Sequence, residues 1–489
     1  MQNLFSFVLL IFIVTSCFKG KSVDAIIHNA RIHTMNEKED LMEAIAIKDG
    51  RIVEVGPERQ ILNKYTSDEE IDAQGKDIYP GFTDAHLNII LAAKRKLMAD
   101  LTGTRSAEEL VVRLVKYAQQ NNSKFIVGHD LDVSIWNSKN LNLKEVLTKQ
   151  FSTLPICIYL SGNEEIVVND IVLKKAKINS LTGILKGEEL TKVEQLFPSY
   201  SKRQLKKIVL EIQDELMQYG ITSVHEAGLD FENIALFQEL AKSKQLKLNF
   251  YGMLSPSEAN YAFAKKHKKY RLNNFQIRSF CADSKLDKEA LKRISIICES
   301  YDYQLSINVT DTESVNSVMH FYSSINAVNK DHRWRMDIYQ SIDNEYINKL
   351  IEYGIFPSVQ IVANRVSTIP LRSNSLLQQI GMLAIGSNYP YESFSPFYEI
   401  HKHVQRRNKE NSMIPNFSSN EALTLDKCIK SLTTWSAFAS FQETEFGILE
   451  KGKQATFSIF EFPVASSSEY QENYSWMTFI KGEKVYSAE

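Results

Sequence analysis

Imidazoles and carboxylates stand where several apolar runs of this sequence end. The pocket candidates are His86, His225, Glu226, Asp283, Asp311 and Asp337. Imidazole and carboxylate groups hold catalytic zinc, and the ion lowers the pKa of its bound water toward about 7. A carboxylate then takes the proton of that water as general base. From the residues alone, these positions indicate a pocket at the strand ends, lined by groups of the kinds that can hold a metal ion.

Each candidate also has a structural interpretation. A histidine at the end of a barrel strand, such as His86, often satisfies hydrogen bonds instead of binding an ion. His225 fits a pocket residue paired with Glu226 and equally fits a structural hydrogen-bonding role. The three aspartates supply oxygen ligands, but their spacing does not require that they form one site.

The elements that must position these groups alternate between strand-like and helical patterns. Apolar runs such as PICIYL, LKLNFYGML and QLSINVTD alternate with amphipathic stretches such as SKRQLKKIVLEIQDELMQYG. This alternation indicates βα units around a parallel sheet. We predict an α/β fold, a TIM-like (β/α)8 barrel over residues 79–416 with an insertion at about 100–215. Its active groups are expected at the carboxyl ends of the strands.

Both ends of the chain show a pattern typical of β-strands. Residues 23–78 alternate apolar and polar side chains around a turn at Lys48-Asp49-Gly50, and residues 417–489 contain similar strand-like runs separated by glycines. We therefore predict one small β-sandwich domain assembled from 23–78 and 417–489.

The first 17 residues are typical of an export signal. LFSFVLLIFIVTSC is an apolar run too short for a comfortable membrane span. It ends in small residues before Cys17, as in a bacterial lipobox. We predict a lipoprotein-type signal peptide over 1–17, lipidation of Cys17, and a lipid-anchored protein of the bacterial cell envelope, periplasmic or surface-facing. A plain secretory signal or a short anchor is the alternative.

Charge and cysteine content exclude other classes. Lys and Arg total 57 and Asp and Glu total 59, so no net field attracts nucleic acid. The cysteines after Cys17 are widely spaced, without a CxxC pair or zinc-type Cys/His spacing, which predicts buried thiols.

Several landmarks in one order resemble the amidohydrolase superfamily, and specifically amidohydrolase family 3. AIAIKDGRIVEVGP and DAQGKDIYPGFTDAH resemble the opening of the family, GHDLDVSIWN and GITSVHEAG resemble its middle, and GILEKGKQATFSIFE resembles its end. The resemblance covers nearly the whole mature chain. It implies a metal-dependent hydrolase that cleaves carbon–nitrogen bonds other than peptide bonds.

The same resemblance implies that the chemical groups of the family are replaced here. Its first-strand histidine pair falls on His86 and Asn88. The other positions that carry metal ligands or the base fall on Arg278, Asn308, Ile338 and Asn388. A guanidinium offers no lone pair, an aliphatic group coordinates nothing, and an amide cannot take a proton at neutral pH. Most metal-ligand positions are therefore substituted.

Two functions follow from these substitutions. The first, which the residue chemistry favours, is a catalytically inactive barrel that binds a small-molecule ligand or a protein partner and needs no metal cofactor. The alternative is an active hydrolase with zinc or another divalent metal in a remodelled, mononuclear site around His86, His225 and one aspartate.

Overall fold

The structure is a computed structural model that describes residues 20–136, 141–162, 165–325, 331–339, 342–362, 371–414, 418–464 and 469–488. The predicted signal peptide over 1–17 and its Cys17 lie outside the described residues.

Parallel strands form the barrel that the sequence predicts. They are β1 (Phe82–Leu87), β2 (Ile221–Leu229), β3 (Asn249–Leu254), β4 (Phe275–Asp283), β5 (Gln304–Val309), β6 (Arg335–Ile338), β7 (Phe356–Val359) and β8 (Ala384–Ile385). Neighbours pair in chain order, and a parallel bridge between Leu87 and Tyr389 brings the chain after β8 back to β1. A short strand, Tyr270–Leu272, pairs antiparallel with β4. The α/β barrel class is confirmed.

Helices cover the outside of this barrel. Those between its strands are Ile89–Lys96, Lys202–Gln218, Phe231–Lys242, Glu258–Lys266, Lys288–Tyr301, Thr312–Ser324, Asn344–Glu352 and Ser373–Ile380. After β8 come Pro396–Ile400 with a π-helical turn at His401–Gln405, a 3-10 turn at Ser419–Glu421, and the helices Leu425–Leu432 and Thr434–Ala439. Each βα helix buries one apolar stripe; in Lys202–Gln218 the stripe includes Leu205, Val209, Ile212 and Leu216.

The insertion between β1 and β2 folds as a small α/β unit. Its sheet contains, in order, Ala99–Asp100, Ile126–Leu131, Ile156–Leu160, Glu165–Val168 and Ile184–Lys186. Its helices are Ala107–Asn121, Leu143–Gln150, Asp170–Ala176 and Glu188–Glu194. Leu110, Leu114 and Leu147 belong to a core of this unit, separate from the barrel core.

Strands from both ends of the chain form two facing sheets. One sheet contains, in order, Glu483–Ser487, Ser475–Ile480, Phe457–Phe460, Asp77–Pro80, Arg31–His33 and Leu41–Met42. The other contains Arg51–Gly56, Ala44–Lys48, Ala25–His28 and Glu70–Asp72. Lys21–Ser22 pairs with Tyr65–Thr66 beside the helix Glu58–Lys64. Ile27, Ile45 and Phe457 pack in one core between the sheets, which gives a β-sandwich built from both termini.

Within the described ranges, no helix combines the length and the apolar character that a membrane crossing requires.

Candidate functional site at the barrel mouth

Strand β6 supplies the central side chains of the site. Successive side chains of a strand point to opposite faces, so Arg335 and Asp337 face the barrel interior, and Tyr339 continues this alternation beyond the strand. Met336 and Ile338 belong to the apolar core. Arg335 and Asp337 are both fully buried. A cation and an anion thus lie together inside the barrel.

Arg335 and Asp337 form a hydrogen-bonded ion pair. Arg335 Nη2 donates to Asp337 Oδ1 at 2.8 Å and to the Ala85 carbonyl of β1 at 2.8 Å. Ser306 of β5 donates its hydroxyl to Asp337 Oδ2. Burial raises the pKa of Asp337, but the charges of Arg335 and His86 outweigh burial and hold it well below its usual range. Asp337 is therefore a carboxylate whose two oxygens are both engaged.

His225 of β2 is also bound to Arg335. Arg335 Nη1 lies 3.1 Å from His225 Nδ1, and a guanidinium can only donate, so Nδ1 accepts. Burial, followed by the charge of Arg335, lowers the pKa of His225 far below its usual value. The neutral ring then carries its hydrogen on Nε2, which has no partner among the described residues. His225 consequently offers no lone pair to an ion.

Both ring nitrogens of His86 face oxygen atoms. The Tyr339 hydroxyl lies 2.9 Å from His86 Nε2 and 3.2 Å from Asn388 Oδ1. On the other side, His86 Nδ1 lies 3.4 Å from Asp337 Oδ2. Burial raises the pKa of Tyr339 well above its usual value, so its hydroxyl keeps its proton. The imidazole that the sequence singles out as a metal ligand is enclosed by protein oxygens.

The substituted positions around His86 have local structural partners. Asn88 caps the helix Ile89–Lys96, since its Oδ1 accepts from Leu91 N at 2.7 Å, and its amide donates to the Ala227 carbonyl at 2.8 Å. Asn308 Oδ1 lies 3.6 Å from the Cys281 thiol. Ile338 is fully buried in the apolar core. These side chains serve packing and hydrogen bonding.

Arg278 lies away from the other candidates. Its guanidinium packs 3.5 Å over the ring of Phe441, and Nη2 lies 3.6 Å from Asp302 Oδ1. Asp302 precedes β5, so this contact is at the amino-terminal end of the barrel. The position that the resemblance assigns to the site therefore does not reach it.

Three pocket candidates also lie outside the cluster. Glu226 follows His225 on β2 and points to the other face, where its two oxygens accept from Ile89 N at 2.6 Å and Ile90 N at 3.1 Å. Asp283 is exposed and accepts from Lys285 N. Asp311 is exposed and caps the helix Thr312–Ser324. Two arrangements that the sequence left open, a pair of His225 with Glu226 and an oxygen site of the three aspartates, are therefore not formed.

The sequence interpretation assigned no role to Arg335, Tyr339 or Ser306. The signal for two of them was the alternation in RWRMDIYQ, where every second residue from Arg335 is polar. A period of two within a strand predicts one shared face. Ser306 lies in a similar alternation, QLSINV, but this pattern does not show that its partner is Asp337 on the next strand.

The donor set does not fit a divalent metal ion. His225 presents a hydrogen, both oxygens of Asp337 already accept, and the guanidinium of Arg335 would repel a second cation placed beside it. In the part of the chain that the structure describes, no three His, Cys, Asp or Glu side chains come together in a way that could hold an ion. Hydrogen bonds join the side chains of the cluster to one another, while His86 Nδ1, His225 Nε2 and Arg335 Nε have no hydrogen-bond partner among the described residues.

Known proteins of one family are similar to this chain over nearly its whole length. The family model described as Amidohydrolase family matches residues 69–486. The putative amidohydrolase YtcJ of Bacillus subtilis is 22% identical over 508 residues, which cover 89% of this chain and 94% of that protein. The Arabidopsis thaliana protein LONG AFTER FAR-RED 3 is 20% identical, covering 96% of this chain and 92% of its own length.

Solved structures share the fold. An uncharacterized metal-dependent hydrolase from Pyrococcus horikoshii superposes with a TM-score of 0.77 at 17% identity, over 92% of this chain and 99% of its own. An adenosine deaminase from Xanthomonas campestris with bound zinc has a TM-score of 0.59 at 14% identity, over 96% of this chain and 94% of its own. At these identities the likeness establishes the architecture alone.

Proposed function

Because the chain belongs to the amidohydrolase family, we propose that it is a member that has lost metal-dependent hydrolysis and keeps its barrel mouth as a binding site for a small molecule. The observation that carries the proposal is that the replaced positions beside His86 have structural roles: Asn88 caps a helix and Ile338 is buried in the apolar core. An aliphatic side chain coordinates nothing, and an amide engaged in a helix cap is a poor substitute for imidazole on zinc.

The replaced base supports the same proposal. Asn388 accepts from the Tyr339 hydroxyl and cannot take a proton from water. Loss of a positioned general base typically lowers a rate by about 10²–10⁴. Metal-dependent cleavage of carbon–nitrogen bonds, which membership of the family suggests, would therefore lack both its ion and its base.

The proposal includes attachment of the protein to a membrane. We infer that Cys17 is lipidated after export, which would hold the barrel at the surface of a bacterial membrane. The basis is the sequence pattern of residues 4–17. A binding barrel tethered in this way would sample small molecules of the envelope compartment, or a protein partner there.

Zinc titration tests the proposal. Zinc that binds the folded state raises the melting temperature, whereas zinc without a site leaves it unchanged. We expect no rise for the wild type, and none for N88H/N388D, since Arg335 and Tyr339 remain in place. A rise of several degrees in the wild type at micromolar zinc, lost in H86A, would contradict the proposal and favour the remodelled mononuclear hydrolase.

A further inference from the structure

A strained residue marks a second polar cluster at the barrel mouth. Asp130 has φ of 60° inside the strand Ile126–Leu131 of the inserted unit, and the pairing of that strand is irregular between Gly128 and Leu131. Non-glycine residues seldom adopt this conformation, although aspartate tolerates it better than most. Left-handed backbone and irregular strand pairing are often found at functional sites, where they set the direction of a side chain.

The left-handed turn brings the Asp130 carboxylate to the ring of His129. His129 Nδ1 lies 3.0 Å from Asp130 Oδ2, and the buried Arg95 donates to Asp130 Oδ1. Burial raises the pKa of Asp130, but His129 and Arg95 outweigh burial and lower it. Asp130 is therefore a carboxylate that accepts the hydrogen of His129 Nδ1.

The other nitrogen of His129 remains available. With its hydrogen on Nδ1, the neutral ring has a lone pair on Nε2. No described residue bonds to Nε2, and the side chain is 12% exposed. A histidine held by a carboxylate at one nitrogen, with the other nitrogen accessible, is the arrangement of a general base.

Arg95 also fixes the position of this dyad relative to the mouth. Its Nη1 donates to the Pro390 carbonyl at 3.1 Å, and its guanidinium lies 5.2 Å from the ring centre of Tyr391, which is 50% exposed. Pro390 and Tyr391 follow Asn388, the residue that accepts from Tyr339. The dyad and the cluster around His86 therefore flank one segment of the mouth.

We propose that His129 is a metal-independent general base, positioned by Asp130, for hydrolysis of an activated acyl group on a small uncharged ligand at the mouth. His129 Nε2 takes a proton from water as the water oxygen bonds to the acyl carbon. The tetrahedral adduct then expels the leaving-group oxygen, and the imidazolium returns the proton to it. We choose an uncharged ligand because Arg95, the cation beside the dyad, is already paired with Asp130 and is not free to hold an anionic group.

The test is hydrolysis of p-nitrophenyl acetate with a metal chelator present throughout. We expect the wild type to hydrolyse the ester above background and H129A to lose about 10²-fold of the rate. Added imidazole should restore part of the H129A rate after the rate of imidazole without protein is subtracted. H320A, which replaces an exposed histidine, is the matched control and keeps the wild-type rate. H129Q should behave as H129A does. A circular dichroism spectrum that matches the wild type shows that H129A is folded.

The role of Asp130 has a separate readout. In D130N, diethyl pyrocarbonate should acylate His129 several-fold more slowly than in the wild type, while the acylation of His320 is unchanged. Equal hydrolysis by H129A and wild type, or a wild-type rate no higher than background, would overturn the proposal. Because a chelator is present, neither result bears on metal-dependent hydrolysis. That activity would be detected only in a separate assay with added zinc.

Discussion

Arg335 places a positive charge inside the barrel that is covalently fixed and always present. Unlike a metal ion, a guanidinium has no open coordination position. Its N–H groups donate hydrogen bonds, whereas a metal ion accepts lone pairs. Its partners are Asp337, His225 and the Ala85 carbonyl. Arg335 therefore keeps the Asp337 carboxylate ionised and, together with burial, keeps the His225 imidazole neutral. Its hydrogen bonds also occupy Asp337 Oδ1 and His225 Nδ1.

Removing the charge of Asp337 should destabilise the fold. D337N leaves a fully buried guanidinium without its anion, and breaking a buried pair in this way costs about 3–5 kcal/mol. D283N, at an exposed strand end, is the matched control and should change the free energy of unfolding by no more than about 0.5 kcal/mol. Urea denaturation measures both. A D337N protein as stable as D283N would show that the pair is not formed.

The strands made part of the site predictable. The ends of apolar runs located His86, His225 and Asp337 near one another, because the strands of a parallel barrel end on the same side. The same reasoning misplaced Glu226, which is adjacent in sequence to His225 but points to the other face. A partner on the neighbouring strand, such as Ser306 for Asp337, is not identified by the pattern within one strand, because the pairing register of the two strands is not known from it.

Glu226 links β2 to the helix Ile89–Lys96, and this link should depend on pH. Burial raises the pKa of Glu226 from its ordinary 4.5 to about 8, against the effect of its two backbone N–H donors. The protonated form is then favoured by folding, so its contribution to stability is complete below 4.5 and is lost as pH rises to about 8.

Comparison with E226Q isolates this contribution. We expect the free energy of unfolding of the wild type, minus that of E226Q, to fall between about pH 4.5 and pH 8, because glutamine does not titrate. Urea denaturation across that range measures the difference. A difference that rises with pH would instead mean that the Ile89 and Ile90 N–H groups hold a carboxylate.

At the scale of the molecule, the order of landmarks predicted the architecture correctly. Alternating strands and helices gave the barrel, and β-rich ends gave a sandwich, because both depend on periodicities that repeat over many residues. The side-chain contacts inside the barrel were harder to predict from the sequence. Whether a histidine is free or enclosed depends on one hydroxyl, that of Tyr339, whose position requires the assembled strands.

The proposed lipid anchor also acts on the whole molecule. Each buried CH₂ of an acyl chain contributes about 0.8 kcal/mol to membrane binding, so a lipidated protein stays with the membrane. We expect labelled palmitate to be incorporated into the full-length wild type and into S16A, which keeps a small residue before the cysteine, but not into C17A. A wild type that takes up no palmitate would favour a plain secretory signal or a short apolar anchor.

Metal content per chain is the measurement that decides between an inactive barrel and a metal-dependent hydrolase. The protein is expressed without residues 1–17, purified without chelator or metal-affinity resin, and examined by elemental analysis. With Arg335 and Tyr339 enclosing the only imidazoles of the cluster among the described residues, we predict zinc, manganese and iron far below one atom per chain. Near-stoichiometric metal that is lost in H86A would contradict the account and restore the hydrolase.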